Sequence, residues 1–248
     1  MIKNNRRKHR FRLILANLVI LAIMLTYLVI AGFFLYKQDF GDDALFKHKK
    51  ERLDMKYLYN LYVSRIPDID SRPFYGSPNA SITMIAYLDI NSKQTKFFID
   101  EIFPRLKEEF INTGKLRYYQ KTYLTEEDYR KKTDNFVYAK SLLCISKINK
   151  ERYYPFYFDL IKNASKFVFY IEKYNLSKEL LADCIANQEF DEMISDILEI
   201  KKFNIDGIKQ RFYIGRDGKD NQVFNGIPSY TKFQRSIRQY LFELGDFA

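Results

Sequence analysis

The chain has 248 residues, with 41 Lys and Arg against 31 Asp and Glu, two Cys, two His and no Trp. Two cysteines exclude a structural zinc finger and a disulfide-dense small scaffold, and with only His9 and His48 a Ser-His-Asp triad has little to draw on. The formal charge of +10 is unevenly placed: Lys3, Arg6, Arg7, Lys8, Arg10 and Arg12 all precede the first acid, Asp39, and without them 35 basic residues face 31 acids. The basic excess does not call for nucleic acid, and no such partner is expected.

The six basic residues form a tail over 1–12 and sit directly before an uncharged apolar run, residues 13–36. At about 1.5 Å per residue this run gives roughly 36 Å of helix, enough to cross a ~30 Å hydrocarbon core with some tilt. A cleaved signal peptide would have a shorter apolar region and a small-x-small cleavage site. Here the run ends in Phe33-Phe34-Leu35-Tyr36, so a signal anchor is expected. The positive-inside rule places the N-terminus in the cytoplasm and the C-terminal domain outside it, in a single-pass protein of the cell membrane.

Residues 37–72 read as a juxtamembrane stalk, with Leu53, Tyr57, Leu58, Leu61 and Tyr62 near helical spacing and Pro67 and Pro73 closing it. From residue 73 to residue 248 the pattern is that of a folded domain. Gly76-Ser77-Pro78-Asn79 is turn chemistry, and residues 81–88 form a mostly apolar run suited to a buried strand. Asp89, Asn91 and Ser92 offer N-caps for a helix over 93–112, with Phe97, Phe98, Ile102, Phe103, Leu106 and Phe110 on its inner face. Gly114 ends it, and residues 115–123 alternate as a strand parallel to the first.

Residues 134–203 read as a helical block, with apolar stripes that include Val137, Leu142, Leu143, Ile145, Leu180, Leu181 and Ile185. A hairpin pattern follows over 211–214 and 221–224, and then an amphipathic helix over 230–244 that turns Phe233, Ile237, Leu241 and Leu244 inward. The expected fold class is α/β: a two-layer domain with a helical insertion, preceded by one transmembrane helix.

Particular words within this order carry a resemblance. They are Pro73-Phe74-Tyr75-Gly76-Ser77-Pro78-Asn79-Ala80 before the first strand, Tyr87-Leu88-Asp89 leaving it, residues 103–118, Ala139-Lys140-Ser141-Leu142-Leu143-Cys144, and Leu181-Ala182-Asp183-Cys184. Together they resemble the DsbA-type thiol-disulfide oxidoreductases of thioredoxin fold. The resemblance implies a Cys-x-x-Cys at the start of the helix after the first strand, where the helix N-terminus stabilises the attacking thiolate. The corresponding positions here are Ser92, Lys93, Gln94 and Thr95. It also implies a cis-proline loop facing that pair, and the stretch in its place is Gly207, Ile208, Lys209, Gln210, Arg211 and Phe212, without proline. A non-proline cis bond costs about 2.5–4 kcal/mol, so a trans loop is expected. Cys144 and Cys184 stand where some relatives carry a second, structural disulfide; two buried thiols are the other reading.

The remaining signals are weaker. Asn79, Asn163 and Asn175 head glycosylation sequons. Residues 153–158 and 167–170 are aromatic runs expected in the core of the helical block, and Lys201, Lys202, Lys209 and Arg211 bring positive charge toward the loop. Glu108-Glu109 and Glu126-Glu127-Asp128 lack a metal-ligand pattern, and no Gly-rich phosphate loop is present, so neither metal nor cofactor is expected. The functional expectation is a membrane-anchored, extracytoplasmic thioredoxin-like protein without redox activity. It would serve as a protein-binding, chaperone-like or scaffolding module for another extracytoplasmic polypeptide. The enzymatic alternative is residual oxidoreductase or isomerase activity through Cys144 or Cys184, and a third is an adaptor acting through its basic tail.

Overall fold

The computed structural model describes residues 67–69, 72–188, 190–205, 207–216 and 220–245. The expected cytoplasmic tail, the transmembrane run and nearly all of the stalk lie outside the described residues. Among those described, no helix is long and apolar enough to cross a membrane.

The core is a five-stranded sheet of order β1-β3-β2-β4-β5. Strand β2 (Ile82–Leu88) and strand β3 (Leu116–Thr122) pair in parallel from Ile82↔Leu116 to Leu88↔Thr122. Strand β4 (Gln210–Arg216) runs antiparallel to β2, and β5 (Asp220–Asn225) antiparallel to β4. A short β1 (Phe74–Tyr75) closes the other edge against β3. It is not read as a strand in the sequence, because two residues are too few to alternate. Gly76 lets it dock: its φ is +119°, and a Cβ there would meet Leu116 O at 2.8 Å.

Helix α1 (93–111) links β2 to β3 through four contiguous segments, Lys93–Phe97, Phe98–Ile102, Phe103–Leu106 and Lys107–Ile111, the second and fourth wound with π spacing. Pro104 has no N–H to give to the preceding turn, and the helix widens beside it, with Phe103 N bonding Phe98 O. Phe98, Ile102, Phe103, Leu106 and Phe110 are buried as expected, but Phe97 is 55% exposed. It sits one position before the buried stripe, on the flank of the helix that meets solvent.

The helical block starts earlier than residue 134. Helix α2 (Glu126–Lys131) opens on a reciprocal cap between Thr125 and Asp128. It is followed by α3 (Asp134–Ile148), α4 (Tyr153–Lys162), α5 (Phe167–Lys173), α6 (Lys178–Asn187) and α7 (Asp191–Lys202). The last helix, α8, spans Tyr230–Glu243. In α6 the inward side chains are Leu181 and Cys184, which turns Leu180 out to 58% exposure. In α8, Phe233, Ile237 and Leu241 are buried as expected, whereas Leu244 lies past the helix end and is exposed. The aromatic run of α4 is core: Tyr153, Tyr154, Phe156 and Tyr157 are buried. The run of α5 is divided, Tyr170 buried while Val168 and Phe169 face out.

The two faces of the sheet differ. On one, Phe98 of α1 packs on Phe212 at 4.9 Å between centroids, and Phe212 on Phe233 of α8 at 5.0 Å. On the other, Ile85, Tyr87, Tyr119 and Tyr213 pack with Ile200 of α7 and Ile205. Inside that second layer lies an ionic cluster. Lys121 pairs with Glu199 and, at 3.1 Å, with Asp196, which Arg72 also meets at 2.7 Å. Tyr87 donates its hydroxyl to Glu199, and Asp68 N reaches the same carboxylate at 2.8 Å. Asp68 and Arg72 are thus tied to α7 by charge-assisted hydrogen bonds in the interior.

Candidate functional site

The site grows from the end of β2. Asp89 N donates to Lys209 O at 3.1 Å, which continues the β2–β4 pairing past the strands and brings the loop before β4 beside the β2–α1 turn. Asp89 Oδ1 accepts from Asn91 N at 3.0 Å, and Ser92 N bonds Asp89 O at 3.1 Å, so the chain turns sharply into α1. Ser92 is the N-cap, its Oγ accepting from Gln94 N at 3.2 Å.

The structure brings the two expected sequence stretches together. Gln210 Nε2 donates to Ser92 Oγ at 2.6 Å, and Ser92 Oγ donates in turn to Gln94 Oε1 at 2.8 Å. Lys93 and Gln94 face solvent, while Thr95 is fully buried. All described peptide bonds are trans, as expected for the loop before β4. Ser92 donates its hydroxyl proton to an amide oxygen, which is not a base, and among the described residues no histidine lines the cleft.

Around these residues opens a cleft of about 840 Å³, lined by the turn, the first turn of α1, Asn135 of α3, Lys209 and Ile227. Asp89 forms its floor, with Lys209 Nζ at 3.2 Å from Oδ2; the carboxylate is 4% exposed and the lysine 61%. Asn135 Nδ2 reaches Asp89 Oδ1 at 3.4 Å, and Asn91 Nδ2 donates to Asn135 Oδ1 at 2.9 Å. Phe97 stands exposed at the rim. Asp89, Asn91 and Asn135 escape sequence reasoning as site residues: the first two read as caps, and Asn135 lies 44 residues from Asn91, where no local pattern joins them.

The other cations expected near this loop are engaged elsewhere. Lys201 pairs with Glu126 at 2.5 Å, and Arg211 donates through Nη1 to Phe203 O. The sequon asparagines Asn79, Asn163 and Asn175 are all exposed, and Ser165 Oγ donates to Asn163 Oδ1 at 2.6 Å. Among the described residues no group of His, Cys, Asp and Glu is placed to hold a metal ion.

Cys144 and Cys184 form a disulfide between α3 and α6, with Cα atoms 5.9 Å apart. The two residues are 0% and 4% exposed. The pair braces the helical block and takes no part in lining the cleft.

The family model described as thioredoxin matches residues 69–227. No curated protein matches the chain. Among solved structures, the thiol-disulfide exchange protein alpha-DsbA2 from Wolbachia pipientis is 17% identical over 79% of this chain and 96% of that one, with a TM-score of 0.56. DsbA from Chlamydia trachomatis is 20% identical over 73% and 97%, with a TM-score of 0.55. ScsC from Proteus mirabilis, in a transitional conformation, is 16% identical over 86% and 94%, with a TM-score of 0.56. These identities carry the fold, which is similar to that of the DsbA structures, and the family match carries membership: the chain belongs to the thioredoxin family.

Proposed function

We propose that this is a membrane-anchored, extracytoplasmic thioredoxin-fold protein that has left disulfide exchange and binds polypeptide as a chaperone-like or scaffolding module. The observation that carries the reading is Ser92 and Thr95 at the head of α1, one hydrogen-bonded to Gln210 and the other sealed in the core. A hydroxyl forms no mixed disulfide, so the attacking thiolate that the chemistry needs is missing there. The enzymatic alternative draws support from the family and would have to work through Cys144 or Cys184. Both are buried and already joined to each other, away from the cleft.

Membership in a family whose members handle polypeptide supports a retained binding role, as a fold-level analogy. The anchor rests on the uncharged run 13–36 and the basic tail before it. A photoreactive residue placed at Gln94 of the full chain in native membranes tests the reading. Adducts with exported polypeptides are expected, and a probe that captures none would remove the binding role.

A further inference from the structure

The hydrogen-bonding capacity left over in the cleft is lopsided. Most side-chain acceptors there already hold at least one donor. Asp89 holds Asn91 N, Asn135 Nδ2 and Lys209 Nζ; Ser92 Oγ holds Gln94 N and Gln210 Nε2. Asn135 Oδ1 takes Asn91 Nδ2, and Gln94 Oε1 takes the Ser92 hydroxyl. Counted by lone pairs, Asn135 Oδ1 and Gln94 Oε1 keep one each, and Asn91 Oδ1 takes no side-chain donor among the described residues.

The donors are in the opposite condition. An ammonium offers three N–H groups and a carboxamide two. Lys209 spends one on Asp89, and the side-chain amides of Asn91 and Asn135 each spend one within the floor. The Gln94 amide and the Lys93 ammonium meet no acceptor among the described residues. Charge points the same way. The one carboxylate among the lining residues is buried beneath Lys209, and two exposed lysines, Lys93 and Lys209, line the cleft.

A ligand matched to unspent donors and exposed ammoniums must bring acceptors and negative charge. We infer that the cleft selects carboxylate-bearing, acidic polypeptide segments over neutral or basic ones. This inference rests on the polypeptide-binding reading above and gives that site its ligand chemistry. Lys93 and Lys209 contribute attraction, and Gln94 with the asparagine amides contributes hydrogen bonds to carboxylate and backbone oxygens. Phe97 offers an apolar edge for the peptide stem.

The test uses the full chain in nanodiscs of phosphatidylcholine and three fluorescent peptides of one length, built from alternating Ala and Glu, Ala and Ser, or Ala and Lys. Fluorescence anisotropy at low ionic strength should rank the Glu peptide at least about fivefold tighter than the Ser peptide, with the Lys peptide weakest. The preference should shrink on going from low salt to about 0.5 M salt, where screening reaches only a few ångströms. Lys93→Glu leaves the Lys209–Asp89 pair in place and should erase most of the preference, with thermal unfolding by circular dichroism confirming that the variant is folded. Equal binding of the three peptides, or a preference for the Lys peptide, overturns the acidic selectivity and leaves the polypeptide-binding reading standing. Binding of none of them removes both.

Discussion

Two carboxylate–ammonium groupings flank the same sheet and come to opposite ends. Under one face, Lys121, Arg72, Asp196 and Glu199 are all nearly inaccessible, and Tyr87 and Asp68 N add further bonds to Glu199. At the end of β2, Asp89 is just as buried, but its partner Lys209 is mostly in water. The chemistry is the same, and burial of the second partner separates them. A closed set holds Asp68 and Arg72 to α7, whereas a half-open one leaves donors facing a cleft.

The largest expected effect follows from breaking the closed set. Glu199→Ala removes the acceptor shared by Lys121, Tyr87 and Asp68 N and leaves two buried cations, Lys121 and Arg72, sharing Asp196; removing one partner of a buried ion pair costs about 3–5 kcal/mol. Urea unfolding should show that loss. A change below about 1 kcal/mol would mean the cluster is not a structural tie.

The disulfide is the second brace of the same domain. Replacing both Cys144 and Cys184 with Ser opens a loop of sequence separation 40 and should cost about 3–4 kcal/mol by chain entropy. The midpoint in urea should fall accordingly, while peptide binding at the cleft is retained.

Alkaline pH probes the closed layer by another route. Burial pushes the Tyr87 hydroxyl well above its ordinary range, and the nearby Glu199 adds to the shift; burial does the same for Tyr154 and Tyr157. These groups stay neutral in the folded chain, whereas in the unfolded chain they ionise near pH ~10. Their contribution is fully present below that pH and is lost as the pH rises above it. Absorbance of tyrosinate should therefore rise in step with loss of ellipticity. Smooth titration of every tyrosine with the fold intact would contradict the burial.

The smallest effect belongs to the half-open pair. Lys209→Gln should change stability by about 1 kcal/mol or less, since its ammonium is mostly solvated and the Asn91 and Asn135 bonds to Asp89 remain. A loss as large as that from Glu199→Ala would erase the distinction between the two groupings.

Much of this architecture could be read along the chain, and the misses have physical causes. Strand β2 follows a mostly apolar run, β3 and the hairpin local alternation, and α8 helical periodicity, signals that tertiary packing reinforces here. Helix α2 was legible in principle, since Thr125 and Asp128 carry a capping signature. Leu180 and Phe97 read as inward because one apolar residue beside a stripe is indistinguishable from its member until the neighbouring helix is in place. The meeting of Ser92 with Gln210 followed from the resemblance, while Asn135 under Asp89 is a tertiary contact with no local trace. The ionic cluster is equally silent, because Lys121 sits in an alternating strand and gives no sign of its burial.

In the proposed function, the absence of redox chemistry resides in Ser92 and Thr95 at the head of α1. It is tested most directly by following insulin disulfide reduction by the full chain beside its Ser92→Cys/Thr95→Cys variant. The unaltered chain should match the buffer rate and the variant should exceed it. Turnover by the unaltered chain that disappears in Cys144→Ser or Cys184→Ser would contradict it.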